Sequence, residues 1–358
     1  MWPDANRSHH SPRTANLPHG ALTADPLTEL ADARENAVLE VRGLRTHFRL
    51  HGSTVRAVDG VDLAVRRGEC LGLVGESGCG KSVTALSILR LVPSPPGRIV
   101  AGQVLFDGQD LLSLSEREMR RVRGAGIAMV FQEPMTSLHP ALPVGFQIAE
   151  AIRAHSDASR AEAAARAVDL LRQVRIPSPA ERATDYPHQL SGGMRQRVMI
   201  AMALACGPRL LIADEPTTAL DVTIQAQIME LLAEIRAKSD LSLLVVTHDL
   251  GLVAQMADRV SVMYAGRIVE DAPVDAIFAG ARHPYTRGLL RSIPTLGARA
   301  ERLAVIPGSV PDPAARPRGC AFRPRCERAA PQCQADEPPV RHAGEDQHSF
   351  ACWNPFTD

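Results

Sequence analysis

The sequence has few aromatic residues, no net charge and no long apolar run. Phe, Trp and Tyr together make up 4% of the 358 residues, and 40 basic side chains balance 40 acidic ones. Without an excess of positive charge, no general attraction to nucleic acid or to a lipid surface is expected, so partners must be inferred from local sites. No apolar stretch approaches the roughly 20 residues that a membrane-spanning helix needs. The composition, with 45% hydrophobic residues, is ordinary for a soluble globular protein.

A secretory signal is also missing from the start of the chain. Residues 1–36 are rich in His, Pro, Asp, Arg and Ala and contain no apolar core. We expect this segment to be a disordered tail, with a short ordered arm as the alternative. Because no export signal is present, a disulfide framework is not expected for the seven cysteines. Cys70, Cys79 and Cys206 should be reduced thiols, whereas the four in the last forty residues favour a metal.

Apolar patterning predicts an α/β protein with a parallel sheet. Strands are predicted at residues 37–50, 57–65, 70–74, 102–106, 127–131, 210–213 and 243–247. Helices at 82–91 and 224–238 separate some of these strands, and an Ala-rich helical insert is predicted at about 133–204. Beyond residue 273 the chain becomes rich in Pro, Arg and Cys. We therefore predict one large domain at 37–273 and a small extension at 274–358.

Residues 70–82 predict a phosphate-binding site. A short apolar strand is followed by Gly-Glu-Ser-Gly-Cys-Gly-Lys-Ser and then by a helix, which is the G-x-x-x-x-G-K-[ST] pattern in its required context. The glycines let backbone N–H groups approach phosphate oxygens, and the helix adds its positive end. Lys81 should reach the β- and γ-phosphates, and Ser82 should bind Mg²⁺. The expected triphosphate contacts are Gly75, Glu76, Ser77, Gly78, Cys79, Gly80, Lys81 and Ser82.

Polar side chains follow three of the predicted strands. Asp214 and Glu215 end the strand at 210–213, so Asp214 is placed to hold Mg²⁺ and Glu215 to polarise the attacking water as the base. His248 ends the strand at 243–247 and is placed to contact the γ-phosphate, and Gln132 could touch Mg²⁺ or the water. The alternatives are two acids that merely end a strand and a histidine with a structural role.

A second anion site is predicted at residues 190–197. Ser191 suits a helix N-cap, and Gly192, Gly193 and Met194 follow it at the start of a helix. One nucleotide cannot use both this site and the glycine loop of the same chain if the helical insert keeps them apart. A dimer resolves the conflict, because each γ-phosphate is then held between the glycine loop of one chain and the Ser-Gly-Gly helix of the other.

Taken in order, these motifs resemble an ATP-binding cassette (ABC) ATPase over about residues 38–273. The resemblance implies a parallel-sheet core with an antiparallel β subdomain and a helical insert, and a head-to-tail dimer with ATP at the interface. It adds Asp221, in Ala-Leu-Asp, to the residues that act on the partner's ATP. It also implies an aromatic side chain that stacks on adenine; Phe48 best matches that position, with a core phenylalanine as the alternative.

A narrower resemblance links the chain to the D-type ATPase subunit of dipeptide and oligopeptide importers. It rests on residues 131–140, 191–204 and 214–223 and on the C-terminal segment that begins at Ile306-Pro307-Gly308. Glu133 and His139 depart from the family's usual Asp and Asn, beside the loop expected to receive the permease. The resemblance implies two permease subunits, an extracytoplasmic peptide-binding protein, a homologous F-type ATPase (or a homodimer), and a peripheral location at the cytoplasmic face of the cell membrane.

Several alternatives stay open at this level. Nickel chelates, glutathione or another small solute could be the cargo, since the permease and its binding protein choose the substrate. A non-transport cassette that acts on DNA or the ribosome is disfavoured, because the chain has one cassette, no net charge and no heptad run.

The cysteines of the extension complete the set of predicted sites. Cys320, Cys326, Cys333 and Cys352 are separated by five, six and eighteen residues, without the close pair that zinc sites usually carry. Four thiolates on loops suit an iron–sulfur cluster better. The resemblance likewise implies a 4Fe-4S cluster here. Zinc, unmetallated thiols and a redox sensor that gates the ATPase are the alternatives, and five arginines near the cysteines either offset cluster charge or form a solvated face.

Overall fold

The fold was analysed in a computed structural model of the chain. The structure describes residues 36–50, 52–133, 137–218, 220–293, 305–343 and 347–357. The predicted disordered tail therefore lies almost wholly outside the described residues. Within them, no helix combines the length and the apolar character needed to cross a bilayer.

An antiparallel sheet forms the first layer. Its strands, in the spatial order β2-β1-β4-β5, are β1 (Ala37–Leu50), β2 (Ser53–Arg66), β4 (Gly97–Phe106) and β5 (Gln109–Asp110). Leu39, Val41 and Leu44 of β1 are buried, which places a face of this sheet on the core. This layer confirms the antiparallel β subdomain expected from the resemblance.

The second sheet has eight strands and carries the parallel core. Its spatial order is β11-β12-β10-β9-β3-β8-β7-β6. The parallel strands are β3 (Cys70–Val74), β6 (Ile127–Val130), β7 (Leu210–Asp214), β8 (Ser242–Thr247) and β9 (Arg259–Tyr264). Nearly every residue of these strands is buried, which is why they appear in the sequence as short continuous apolar runs. Since all five run in the same direction, their carboxyl ends meet at one edge.

Helices pack on this sheet and build the insert. In chain order they are α1 (Lys81–Ile88), α2 (Glu116–Val122), α3 (Val144–Ala154), α4 (Arg160–Gln173), α5 (Pro179–Arg182), α6 (Gly192–Leu204), α7 (Val222–Ala237), α8 (Leu250–Val253), α9 (Val274–Gly280), α10 (Pro284–Arg291) and α11 (Gln332–Ala335). The helices α3 to α6 lie between β6 and β7, where the helical insert was predicted. Ser159 caps α4 together with Glu162 in a capping box, so its start is encoded locally.

The C-terminal segment continues the core sheet. The antiparallel strand β10 (Arg267–Pro273) pairs with β9 on one side and with β12 (His348–Phe350) on the other, and β11 (Arg341–Ala343) pairs with β12. A buried hydrogen bond of 2.7 Å joins His348 to Glu270 of β10. The last strands of the extension therefore share backbone hydrogen bonds with the sheet that carries the parallel core.

The predicted α/β class and ABC ATPase fold are confirmed, with differences in detail. The strand predicted to start at residue 102 starts at Gly97, since it pairs along β1 as far as Phe48. The helix predicted at 82–91 ends at Ile88. Strands β9 to β12 were not identified from the sequence; two of them are three residues long, too short to show a period of two.

Arg259 of β9 provides a test of how the two sheets are joined. Its buried guanidinium donates to Glu69 (2.9 Å) and Asp271 (2.6 Å) and to the backbone carbonyl of Ala64 in β2. Arg259→Met should lower the free energy of unfolding by about 3–5 kcal/mol, because it leaves buried carboxylates without their partner. Denaturant unfolding measures the loss. Arg120→Met, which removes an exposed ion pair with Glu116, should unfold like the wild type; equal effects of both changes would contradict the buried role.

Candidate nucleotide-binding site

The glycine loop passes too close to the backbone of other strands for side chains to fit. A Cβ atom on Gly80, whose φ is +110°, would lie 2.4 Å from the carbonyl oxygen of Ala57 in β2. A Cβ atom on Gly75 would lie 2.2 Å from the carbonyl oxygen of Met263 in β9. Both sheets therefore press on the loop, and glycine at these positions is a steric requirement.

The loop leads directly into α1, and the side chain of Lys81, the first residue of that helix, folds back over the loop. Lys81 Nζ donates to the carbonyl oxygens of Gly75 (2.7 Å) and Glu76 (3.1 Å). No side chain caps α1, whose N-cap is Gly80, so the backbone N–H groups of the first turn present the positive end of the helix to the loop. Ser77 and Gly78 are exposed at the tip of the loop, whereas the Cys79 thiol is buried beneath it. This arrangement is a cradle for phosphate groups.

The two predicted magnesium ligands are in contact. Ser82 Oγ donates a hydrogen bond of 2.9 Å to Asp214 Oδ1. Burial raises the pKa of Asp214 to about 6, against the hydrogen bond from Ser82, and the neighbouring Glu215 adds to the increase. A hydroxyl and a buried carboxylate at one point are oxygen ligands of the kind that Mg²⁺ prefers, so the pair fits the ion.

Glu215 is the centre of a hydrogen-bond network at the same edge of the sheet. Gln132 Nε2 donates to its Oε2 at 3.0 Å, Thr218 Oγ1 donates to the same oxygen at 2.8 Å, and His248 Nδ1 lies 3.3 Å from its Oε1. The carboxylate is only 10% exposed, whereas the His248 ring is 56% exposed. The structure thus brings together Gln132, Glu215 and His248; Gln132 lies 83 positions before Glu215, and His248 lies 33 positions after it.

The network keeps Glu215 ionised. Burial acts to raise its pKa, but the hydrogen bonds from Thr218 and His248 and the positive charge of Lys81 outweigh burial and lower it. The residue also has a φ of +45°, which is uncommon for a side chain other than glycine or asparagine and is typical of functional sites. An ionised, conformationally fixed carboxylate is what a general base requires.

Thr218 is a site residue that the sequence analysis missed. It lies three residues after Glu215, and its hydroxyl points back because the segment after β7 turns: the N–H of Thr218 donates to the carbonyl of Glu215 at 3.1 Å. The run Asp-Glu-Pro-Thr-Thr was the available signal, since Pro and Thr after a strand indicate a turn.

The residues predicted to act on a partner's nucleotide lie at two neighbouring helix N-termini. Ser191 caps α6 and accepts from the N–H of Met194, and Asp221 caps α7 and accepts from the N–H of Ile224. A Cβ atom on Gly193 would lie 2.8 Å from the side chain of Ile224, so the two N-termini pack together. Ser191 and Asp221 are exposed. Their action in trans stays a prediction.

Phe48 lies near the end of β1, opposite Gly97 of β4. Its ring is half-buried, and a Cβ atom on Gly97 would lie 2.7 Å from its Cε1. The ring is therefore packed on one side against the sheet. Its role in adenine stacking stays a prediction.

The four cysteines of the extension approach one another. The N–H of Cys320 donates to the carbonyl of Cys333 at 2.8 Å. Burial raises the pKa of Cys352 to about 12, and the charges of the other three cysteines add to this increase. Burial and the charges of Cys320, Cys333 and Glu327 also raise the pKa of the Cys326 thiol. No disulfide forms, and within the described ranges no group of three or more His, Cys, Asp or Glu side chains is arranged to hold a single metal ion.

Two of the five arginines near these cysteines form ion pairs with acids outside the extension. The side chain of Arg316 is 13% exposed and pairs with the buried Asp59 at 3.1 Å. That of Arg325 is 4% exposed and pairs with Glu76 of the glycine loop at 2.6 Å. The five arginines are therefore not simply a solvated face, and the extension reaches the nucleotide site.

Comparisons with known proteins identify the family of the main domain and that of the C-terminal region. The family model described as ABC transporter matches residues 58–218, and the model described as oligopeptide/dipeptide transporter, C-terminal region, matches residues 269–333. The dimeric ABC transporter cassette MJ0796 superposes with a TM-score of 0.60 at 28% identity, covering 66% of this chain and 98% of that one. The same cassette bound to ADP and Pi in a post-hydrolysis state gives 0.59 at 27% identity, with the same coverage. The protein is an ABC ATPase.

Full-length relatives narrow the assignment. A probable peptide ABC transporter ATP-binding protein of Sinorhizobium fredii is 54% identical over 90% of this chain and 96% of its own length. The dipeptide transport ATP-binding protein DppD of Escherichia coli is 52% identical over 90% and 98%, and the oligopeptide transport ATP-binding protein OppD of Bacillus subtilis is 52% identical over 89% of each chain. The chain belongs to the family of ATP-binding subunits of peptide ABC transporters, as the sequence resemblance predicted.

The raised pKa of Asp214 gives the apoprotein a pH-dependent stability. Because the folded state binds this proton more tightly than the unfolded state, the contribution of Asp214 to stability should fall as the pH rises from about 4 to about 6. Asp214→Asn should remove this loss and raise the free energy of unfolding at about pH 7 by about 2 kcal/mol. Denaturant unfolding across this range measures it. The exposed Asp169→Asn is the control, and a mutant no more stable than wild type at about pH 7 would contradict the expectation.

Proposed function

We propose that the protein energises a membrane permease that imports dipeptides or oligopeptides. The observation that carries the proposal is the joint presence of the glycine loop with its neighbouring acids and His248, and of a C-terminal segment that matches the oligopeptide/dipeptide transporter region. Relatives over nine-tenths of the chain bear the names of dipeptide and oligopeptide transport proteins. Nickel chelates, glutathione or another small solute are the alternative cargo, because the permease and its binding protein select it.

ATP would be held between two cassettes. Gly75 to Ser82 of one protomer would cradle the phosphates, with Ser82, Asp214 and Gln132 as ligands for Mg²⁺, which neutralises phosphate charge when bound. The exposed helix N-termini capped by Ser191 and Asp221 would approach the same γ-phosphate from the partner. We propose a homologous F-type ATPase as that partner, with a second copy of this chain as the alternative. Two permease subunits and an extracytoplasmic peptide-binding protein would complete the transporter at the cytoplasmic face of the membrane.

Hydrolysis would use the network around Glu215. The ionised carboxylate would take a proton from the attacking water. Gln132 and Thr218 would hold this carboxylate in place through their hydrogen bonds to it. His248 is exposed enough to leave Glu215 and contact the γ-phosphate once the nucleotide binds. After hydrolysis and loss of phosphate, the shared anion disappears and the cassettes separate. Opening and closing of the dimer would then drive the permease.

The permease would dock in a groove beside Gln132. A cavity of about 540 Å³ lies between β6 and the helical insert, and its lining is mostly apolar. Phe131, which precedes Gln132, is 39% exposed at its edge, and Met199 and Met202 of α6 form part of the lining. A groove with an apolar lining suits the apolar face of an amphipathic helix. Its contact with the Gln132 segment links the permease to the hydrolytic network.

Glu215→Gln tests the assigned base. The amide keeps the shape of the side chain but cannot accept the proton, so turnover should fall at least about 100-fold while ATP still binds. The measurement is ATPase rate together with nucleotide affinity. The control Glu230→Gln, at an exposed position on α7, should hydrolyse ATP at the wild-type rate. Lys81→Ala should instead bind ATP with lower affinity.

The Glu215→Gln variant can also be used to identify the partners. With ATP trapped, the complex extracted from membranes should contain the permease chains and a second cassette, and mass spectrometry distinguishes an F-type subunit from a homodimer. Wild-type turnover by Glu215→Gln would show that another group is the base. Recovery of the variant with DNA or ribosomes, and without permease, would contradict the transport function.

We further propose that Cys320, Cys326, Cys333 and Cys352 hold a 4Fe-4S cluster, with zinc as the alternative. Burial and the negative charge of neighbouring thiolates raise the pKa of Cys352 and of Cys326, so a cationic group that stabilises the ionised sulfurs fits here. A cluster holds its four sulfur ligands farther apart than a single ion does. Bound there, it would supply cross-links between the loops of the extension.

Metal analysis decides between the alternatives. Protein purified without oxygen should contain about four irons and about four acid-labile sulfides per chain. Cys326→Ser should lose them and show a lower thermal midpoint, while Cys206→Ser, outside the extension, should keep them. Stoichiometric zinc in place of iron would contradict the cluster, and metal-free wild-type protein would contradict both assignments.

A further inference from the structure

The phosphate loop carries a carboxylate where an anion will bind. Glu76 is the second residue of the loop, between Gly75 and the exposed Ser77, and its side chain is 31% exposed. Its charge has the same sign as that of the triphosphate, so an unpaired carboxylate at this position would weaken nucleotide binding. The neighbouring acids Asp214 and Glu215 are assigned to Mg²⁺ and to the attacking water, but Glu76 has neither role. Its partner lies in another part of the chain.

That partner is Arg325, which is 249 residues away in the sequence. Its two terminal nitrogens donate to the two carboxylate oxygens of Glu76 at 2.6 and 2.9 Å, which is a bidentate pair. The Arg325 side chain is 4% exposed. Arg325 lies in the short 3₁₀ helix Arg323–Arg325, immediately before Cys326.

Arg325 is held in place from several sides. Its Nε donates to the carbonyl of Pro307 at 2.8 Å, and Nη2 donates to that of Ile306 at 3.3 Å. Its guanidinium lies 5.8 Å from the ring centre of Tyr264 and 5.9 Å from that of Phe322. With all these partners the guanidinium is held in place before any nucleotide arrives, so little side-chain entropy is lost on forming the pair.

The backbone of Glu76 is fixed by the same region. Its N–H donates to Tyr285 Oη at 2.9 Å, and Tyr285 is completely buried. The rings of Tyr264, Tyr285 and Phe322 pack within 4.6 to 5.3 Å of one another, so the two contacts to Glu76 share one aromatic support. Both the charge and the conformation of the first residues of the loop are therefore set by the C-terminal part of the chain.

We propose that Arg325 is a positioning residue for nucleotide binding, through which the C-terminal extension neutralises Glu76 and holds the phosphate loop in its binding conformation. Arg325 itself does not touch the phosphates. It turns the Glu76 carboxylate toward the extension and cancels its charge. The extension is in this way a part of the nucleotide site of its own chain.

The test is a double-mutant cycle on nucleotide affinity, read with ATP, ADP and AMP. Arg325→Met, which keeps most of the volume but no charge, should raise the Kd for ATP about tenfold, with a smaller effect for ADP and almost none for AMP. Adding Glu76→Gln to Arg325→Met should return the Kd for ATP to within about threefold of wild type, because the repelling charge is gone. Arg325→Lys should bind ATP with intermediate affinity, since it keeps the charge and loses the fork.

Controls separate this role from general destabilisation. Arg291→Met removes an exposed ion pair with Glu327 within the extension and should leave the Kd unchanged. Thermal midpoints are measured for every variant; if Arg325→Met does not fold, Arg325→Lys with and without Glu76→Gln carries the comparison. The inference is overturned if Arg325→Met binds ATP like the wild type, if Glu76→Gln gives no rescue, or if AMP affinity falls as much as ATP affinity.

The inference rests on nucleotide binding by the glycine loop, and the two can fail separately. If wild-type protein binds no ATP, or if Lys81→Ala binds it equally well, the proposed function fails. If wild type binds ATP and Lys81→Ala does not, but the Arg325 variants match the wild type, only the role of Arg325 fails.

Discussion

The carboxyl ends of buried parallel strands meet at one edge of the core sheet, and every group of the hydrolytic site depends on that convergence. β3 leads into the glycine loop, and Gln132 comes shortly after β6. β7 ends at Asp214, which Glu215 follows, and His248 follows β8. Each strand is short and almost wholly buried, so its register is fixed by the packing on both faces. A shift of one residue in any of them would turn a site residue into the core.

The site contains several carboxylates, whose negative charges would repel an anionic ligand. The surroundings of Asp214, Glu215 and Glu76 deal with this repulsion in three different ways. Asp214 is buried, so its pKa is raised to about 6, and a cation is needed to stabilise its charge. Glu215 is kept ionised by hydrogen bonds from Thr218 and His248, against its burial. Glu76 is paired with an arginine from the far end of the chain. The proposed base, the proposed metal ligand and the paired loop residue are all carboxylates, and they differ because their surroundings differ.

Site residues that belong to a local sequence pattern could be predicted, and those that depend on distant contacts could not. The glycine loop, Asp214, Glu215, Gln132 and His248 were predicted because each directly follows a short apolar strand or forms a contiguous motif. Thr218 was missed, since a threonine in a turn has no distinctive pattern. The aromatic support under the loop was missed as well, although Tyr264 and Tyr285 are two of only three tyrosines. Their contact joins residues that nothing in the sequence connects.

The sequence alone established the α/β class, the phosphate loop with its lysine and serine, the paired acids, the Ser-Gly-Gly helix start and the grouping of four cysteines. These features depend on neighbours in the chain, on periodicity and on residue chemistry, all of which are local. Only the tertiary structure revealed that β12 extends the core sheet, that Thr218 supports Glu215, and that Arg325 neutralises Glu76. Such contacts join residues up to 249 positions apart, and they form only when two sheets and the extension pack together, because burial and long-range pairing are properties of the assembled fold.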